Sequence, residues 1–517
     1  MPESPKTKSL TIPPPVKGWN TKDPISQMDP LYAVEIENYF PNNGTVDLRN
    51  GSLIFSSTPP AGFGVYLAIF DYTTSAGVRW IVGNGTHGVG ARPFSVDSTG
   101  ACADISNAGA VVFSGSRAWS VNFQGSIFIK SNDSTTDVVS WAGSGNAAYA
   151  AFIGPGGDDK ALRCVTAYKN RLYFSGVDLS VWYGGVNAIT GALTQFDFSG
   201  VMPHGGQIKY IGPISPDINN QRQNNFCVIT SEGDVAIYTG DNPADANWQI
   251  TGQYYIGPPV GIQSFIEFQN DVLVVTDAGL VSVLSVVNGS ALENSYLTDN
   301  IQSVYKSYID LCRALSVSTG LAYYDIVCGT YYPGGNFIAI TIPTAASASG
   351  YKTLVFNTIN KAWCLWTGIT PICWCNYDNK AMFAPGAVAR VMRADTGYYD
   401  EDPATPAAIL TRTTTLRFAF NYLGEPNIVK TPTQAIPILY ESENLALTLD
   451  CDMDYSDTTA TSSNTTTGDT SYILYKPTCG LRAYPGKAVS IRMDDSVTTK
   501  RRSIQAVEVF WKDADIR

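Results

Sequence analysis

Hydrophobic and polar positions alternate in short bursts along most of this chain, a rhythm that predicts strands joined by tight turns. Between about residues 65 and 400 one pattern recurs: an aromatic, two polar or glycine residues, one variable position, then three or four apolar residues. It reads Phe123-Gln124-Gly125-Ser126-Ile127-Phe128-Ile129, then Tyr168-Lys169-Asn170-Arg171-Leu172-Tyr173-Phe174, then Phe268-Gln269-Asn270-Asp271-Val272-Leu273-Val274. The separations are 45 and 100 residues, the second being two units of about 50. A partner pattern, a hairpin with alternating apolar residues, occupies 230–238 and returns 46 residues later at 276–284. Hairpin units of roughly 45 to 55 residues are the repeat of a β-propeller, whose blades bury their faces only against one another. The reading preferred over a β-sandwich of unrelated hairpins is a propeller of five to seven blades across residues 65–404. Residues 65–85 and 337–368 supply further blade candidates.

The two ends differ from this middle. Residues 1–64 read as an extended N-terminal arm and assembly segment, with Pro13-Pro14-Pro15, Asp23-Pro24 and Asp29-Pro30 withholding backbone donors. Within it a short helix is expected, with Asp29 as cap, Pro30 at its first position, then Ala33, Ile36 and Asn38, closed by Pro41-Asn42-Asn43-Gly44. Trp19 and Tyr39 need burial, so the arm is expected to pack on the C-terminal domain or on a neighbouring subunit. One amphipathic helix interrupts the strands: Ile301, Val304, Tyr305, Tyr308, Leu311, Cys312 and Leu315 share a face behind Thr298 or Asp299. That stripe faces its own core or a neighbour, the core being preferred. Residues 405–517 form a β-rich C-terminal domain with strands over 416–423, 445–455, 488–492 and 507–511. The Ser/Thr-rich stretch 456–471 reads as a mobile loop. The fold class expected is therefore all-β: a propeller, an additional β-rich domain built from the C-terminal region and the N-terminal arm, and one inserted helix.

Composition narrows the chemistry. Hydrophobic residues at 44% suffice for a packed core, while charged residues reach only 15% of the 517. The net charge of −11 argues against a nucleic-acid binder, which relies on Lys and Arg to neutralise phosphate. Only His87 and His204 are available for imidazole chemistry. Ten cysteines are scattered through apolar runs, and Cys373-Trp374-Cys375 is not zinc spacing, so buried free thiols are expected. No apolar run is long enough to span a bilayer. Met1-Pro2-Glu3-Ser4-Pro5-Lys6 lacks the apolar centre of a signal peptide, so assembly in a cytoplasm is expected.

Candidate motifs weaken on inspection. Gly83-Asn84-Gly85-Thr86-His87-Gly88 matches a dinucleotide fingerprint, but Val89-Gly90-Ala91-Arg92-Pro93 cannot start the helix it requires. Asn84-Gly85 reads better as a hairpin turn. Asp450, Asp452 and Asp454 resemble the start of a calcium loop, yet Tyr455 and Thr461 stand where its glycine and glutamate belong. They are taken as a solvated strand face. Ser95-Val96-Asp97-Ser98-Thr99-Gly100 approaches the aspartate box of glycan-cleaving propellers with its glycine one place late. Glycoside chemistry needs only two carboxylates about 5 to 9 Å apart and so stays open. Asn-x-Ser/Thr sequons at Asn43, Asn50, Asn84, Asn132, Asn288 and Asn464 carry little weight without a secretion signal. Lys500-Arg501-Arg502, the one dense basic cluster, is expected to meet an acidic partner or a subunit interface rather than DNA. No catalytic, cofactor-binding or metal residue is assigned, no cofactor is expected, and the chain is not expected to be an enzyme.

Several blocks resemble the tail nozzle, or tail hub, proteins of short-tailed bacteriophages. The first runs from Gly18-Trp19-Asn20-Thr21 through Asp23-Pro24, Met28-Asp29-Pro30, Ala33 and Asn38-Tyr39-Phe40-Pro41 to Gly44-Thr45-Val46-Asp47-Leu48-Arg49-Asn50-Gly51. The second is Val228-Ile229-Thr230-Ser231-Glu232-Gly233-Asp234-Val235-Ala236-Ile237-Tyr238-Thr239-Gly240-Asp241-Asn242-Pro243. Trp248, then Gly252-Gln253-Tyr254-Tyr255-Ile256-Gly257-Pro258-Pro259-Val260-Gly261, and the stretch 272–279 follow in the expected order. The blocks cover about half the chain; 370–517 matches loosely, around Leu423-Gly424 and 452–455. The resemblance implies a virion component assembled in the host cytoplasm: six copies in a ring below portal and adaptor, carrying tail fibres or spikes and enclosing double-stranded DNA without sequence-specific binding. The runner-up is a receptor-binding or glycan-cleaving tail spike.

Overall fold

The computed structural model describes residues 6–514 apart from 89, 116, 216, 219–220, 223, 293–295, 320–322, 348–349, 443–444, 457–460, 467–472, 482 and 498. The chain is an all-β protein in a six-blade propeller arrangement with one long helix and an added β-rich domain. Six antiparallel sheets belong to the propeller alone: 63–104, 118–149, 165–197, 208–255, 265–282, and 371–393 completed by Leu53–Ile54. Between the fifth and the last, the strands of 328–366 form one end of a nine-stranded sheet that continues into the added domain.

Each blade shares a buried apolar cluster with the next. Phe174 and Leu172 of the third meet Phe128 of the second, and Phe226 of the fourth meets Tyr173 of the third. Tyr66 and Ile69 of the first meet Cys373 and Cys375 of the last, which brings the ring back to its start. Closure is made by strand pairing. Leu53–Ile54 pairs with Met392–Arg393, finishing the last blade just before the chain enters the first.

The recurring pattern marks the turn between the two innermost strands of a blade. Gln124-Gly125 and Lys169-Asn170 both have positive φ at each residue, as two-residue hairpin turns matching strand twist require. The hairpins at 230–238 and 276–282 fall in neighbouring sheets, as their spacing predicts, but residues 283–284, expected to continue the second as a strand, open the short helix Val283–Val287. A further copy of the turn, Tyr377-Asp378-Asn379-Lys380, lies in the last blade.

The added domain has two sheets around a shared core. In one, Arg502–Asp513 lies beside Lys430–Glu441 and also pairs with Lys8–Ile12 and Val46–Leu48 of the arm. In the other, Arg412–Phe418, Val489–Val497, Leu445–Met453 and Thr461–Thr466 follow one another. Ala33–Glu37 joins this second sheet to the propeller strand Ala362–Trp366. The expected helix after Asp29 is therefore a strand. Val34-Glu35-Ile36-Glu37 has the two-residue period of a strand, and Asp29 instead caps a turn, accepting from the Leu31 amide at 2.8 Å. The loop expected at 456–471 is corrected in part: Thr461–Thr466 is a strand, while 457–460 and 467–471 lie outside the described residues.

The helix Gln302–Thr319 buries Tyr305, Ile309 and Cys312 against the chain's own core. Leu311, expected in that stripe, is 48% exposed because the contact face is narrower than the sequence suggests.

Candidate functional site

Two places concentrate specific contacts: the propeller axis and the seam where the arm joins both domains. On the axis, Trp119 of the second blade reaches Tyr210 of the fourth (6.0 Å between ring centroids) and Phe265 of the fifth (5.9 Å). Gln263, entering the fifth blade, donates its Nε2–H to the Ala118 carbonyl at 3.1 Å. Arg117 donates Nη1–H to the carbonyls of Leu67 and Ile372, both at 2.8 Å, tying second, first and last blades together. These contacts join blades across the ring at this level. Burial pushes the Asp325 carboxyl above its ordinary range, with Lys209 and Arg117 opposing. A duplex about 20 Å wide has no route through such an axis.

At the seam, Arg49 and Asp400 form a bidentate pair at 2.5 and 3.0 Å with both side chains 1% exposed. Arg49 also donates to Asn38 Oδ1 (2.7 Å) and the Thr367 carbonyl (3.0 Å). Arg412 donates to the carbonyls of Arg49 (2.9 Å) and Tyr398 (2.6 Å). Burial works against the Asp400 carboxylate, but Arg49 and Arg412 outweigh it and hold its pKa below the usual value. Burial, then repulsion from Arg49, lowers the Arg412 guanidinium to about 10. Arm, last blade and C-terminal strands are thus locked by groups that cannot separate without stranding a charge.

The basic cluster is not a free patch. Arg502 is fully buried, bound to Glu441 Oε2 at 2.6 Å, Asp495 Oδ2 at 2.7 Å and Tyr39 Oη at 3.0 Å. Lys500 lies 3.6 Å from Asp495. The expectation that all three face a partner is corrected, since carboxylates of the same chain already take two of them. The Asp450–Asp454 stretch is likewise no solvated face. Asp450 and Asp452 are buried, Asp452 pairs with Arg417 at 2.8 Å, and Asp454 accepts the amides of Lys487 (2.7 Å) and Ala488 (3.0 Å).

Gly83 to His87 lie inside the strand Arg79–His87, which has no helix to receive a pyrophosphate. The hairpin turn expected at Asn84-Gly85 falls instead at Gly88, since Asn84 is buried and a side chain at Gly83 would strike the Ala68 carbonyl. In the near-aspartate box, Asp97 Oδ1 is occupied by the Thr99 and Ala101 amides at 2.8 and 2.9 Å. His87 packs edge-on to Phe63. His204 holds Asp234 Oδ1 through Nδ1 at 2.6 Å. All ten cysteines are free and nine are buried, burial pushing thiols such as Cys164 and Cys373 up to about 12. Among the described residues no group of three or more His, Cys, Asp or Glu is placed to hold a metal, and no helix is long and apolar enough to cross a membrane.

Sequence reasoning missed Arg49, Arg117, Trp119 and Asp400. No local signal marks them: Arg49 stands two residues after Asp47, Asp400 is followed by Glu401 and Asp402, and the partners Asp400 of Arg49 and Ile372 of Arg117 lie hundreds of residues away. No family model matches the chain, and no curated protein matches it.

Proposed function

We propose that this chain is the structural subunit of a short phage tail: the nozzle or hub whose copies, six to a ring, continue the DNA exit channel below portal and adaptor and anchor fibres or spikes. The ordered blocks from Gly18 to Gly51 and from Val228 to Gly261 support the reading, as does the agreement between the fold they imply and a propeller joined to an arm-completed β domain. The order of those blocks along the chain carries the reading; with Trp119 against Phe265, a conduit for a duplex would lie between copies rather than through one. The two-domain body is clamped by Arg49 and Arg412, which suits a part that must keep its shape as DNA passes.

The test is to fractionate purified short-tailed particles and incubate the isolated protein with host capsule or lipopolysaccharide. The reading expects the chain in the tail fraction beside the adaptor and no release of sugar. Saccharide release that disappears when one close carboxylate pair is replaced moves the chain to the spike class.

A further inference from the structure

Where Leu53–Ile54 closes the ring, a cleft of about 390 Å³ opens between the first and last blades. Two aromatic rings line it, Phe55 and Tyr377, 5.8 Å apart. Each carries a guanidinium on its face: Arg393 lies 5.2 Å from the Phe55 centroid and Arg79 5.7 Å from that of Tyr377. Arg79 is balanced by Asp71 at 3.0 Å and Asp378 at 3.2 Å. Arg393 and Lys380 have no carboxylate partner among the described residues, and Arg393 Nε is buried without an acceptor. The cleft thus holds two cations, Arg393 and Lys380, with no carboxylate at ion-pair distance, one of them over an aromatic ring and the other acted on from farther away by Asp395, on a molecule of net charge −11.

We propose that this cleft docks an acidic peptide segment of a partner protein, its carboxylates taken by Arg393 and Lys380. A stacked guanidinium presents a planar fork to a carboxylate with little ordering left to do. A peptide fits better than a uronate saccharide for two reasons. A guanidinium already lies over each aromatic ring, which leaves less ring for a sugar to stack on. The rim also offers Val78, 50% exposed, to an apolar side chain beside the acid. The inference stands whether or not the chain belongs to a phage tail.

The experiment uses the intact chain and an array of ten-residue peptides mixing Asp or Glu with apolar residues, their Asn/Gln counterparts, and oligogalacturonate as the uronate probe. Binding is read by fluorescence polarisation at low and physiological salt. Acidic peptides should bind, the amide versions about tenfold more weakly, and salt should weaken the complex. R393Q/K380Q should lose about tenfold with an unchanged melting temperature. If R393Q disturbs folding, K380Q alone, on an exposed side chain, should still weaken binding about threefold. Absence of acidic-peptide binding, binding that both variants retain, or binding of oligogalacturonate alone overturns the proposal.

Discussion

Arg502 donates from Nη1 to Tyr39 Oη across 3.0 Å, joining the last long strand of the chain to the first hairpin of the arm inside a fully buried site. The same guanidinium neutralises Glu441, which is itself wholly buried. Arg502→Met should therefore cost about 3–5 kcal/mol, because it strands a carboxylate in the core. Replacing Arg502 and Glu441 together by Met and Leu should recover part of that loss, the remainder coming from Asp495, which loses Arg502 and keeps Lys500 at 3.6 Å. Denaturant unfolding of the two variants measures the difference, and an equal loss in both would contradict the assignment.

The arm is held by packing as well as charge. Trp19 is 7% exposed, donates Nε1–H to the Val34 carbonyl at 2.9 Å, and takes a backbone bond to Trp363 at 2.8 Å. Gly18 before it has φ +74°, and a side chain there would strike the Trp363 carbonyl. Trp19→Ala should lower stability by about 3–5 kcal/mol. Protease should then cut within the first 50 residues sooner than in the parent chain. Unchanged cleavage would mean the arm is held elsewhere.

A pH effect follows from Asp159, buried between the second and third blades with Oδ2 accepting the Val138 amide at 3.2 Å. Burial, then the adjacent Asp137, holds its carboxyl well above the ordinary value of 3.8, while buried Lys130 pulls the other way. Asp133, Lys160 and Arg163 complete the charged surroundings. A carboxyl with a raised folded pKa ionises first in the unfolded chain, so its contribution falls as pH rises from about 4 through neutrality and then levels off. Asp159→Asn should raise the melting temperature near pH 8 and change it little near pH 4. A shift of equal size at both pH values would contradict this account.

Local pattern disclosed what local sterics decide. Turns with two positive-φ residues need small or polar side chains, so the inner hairpins at Gln124-Gly125 and Lys169-Asn170 were legible. The copy at Tyr377-Asp378-Asn379-Lys380 leads into an apolar run containing Ala381 and Ala384, which weakens its strand signal. Asn84-Gly85 shows the limit from the other side. It is a strong hairpin dipeptide, yet Tyr66 and Phe94 stack over that strand at 3.7 Å and packing overrides the preference. Long-range pairs were invisible, since Arg49 and Asp400 stand 351 residues apart and neither has a local cue. The acids at 450 and 452 look solvated in sequence because the pairing that buries them, and that brings Arg417 to Asp452, belongs to the sheet order.

Duplex DNA should pass this protein without being held. With Arg502 internal and Lys500 beside Asp495, the basic cluster cannot neutralise a run of phosphates. Assembled rings should bind free duplex no tighter than about 1 μM at physiological salt. Submicromolar affinity that is lost when Lys500 and Arg501 are replaced would contradict the non-gripping channel.

In the proposed nozzle, copies of this chain surround a channel that none of them contains, and single-particle imaging of the native tail assembly would show it. The account predicts six copies around the tail axis with a hole at least about 20 Å across, wide enough for a duplex. A trimer or single copy projecting off the axis, with no axial hole, would contradict it.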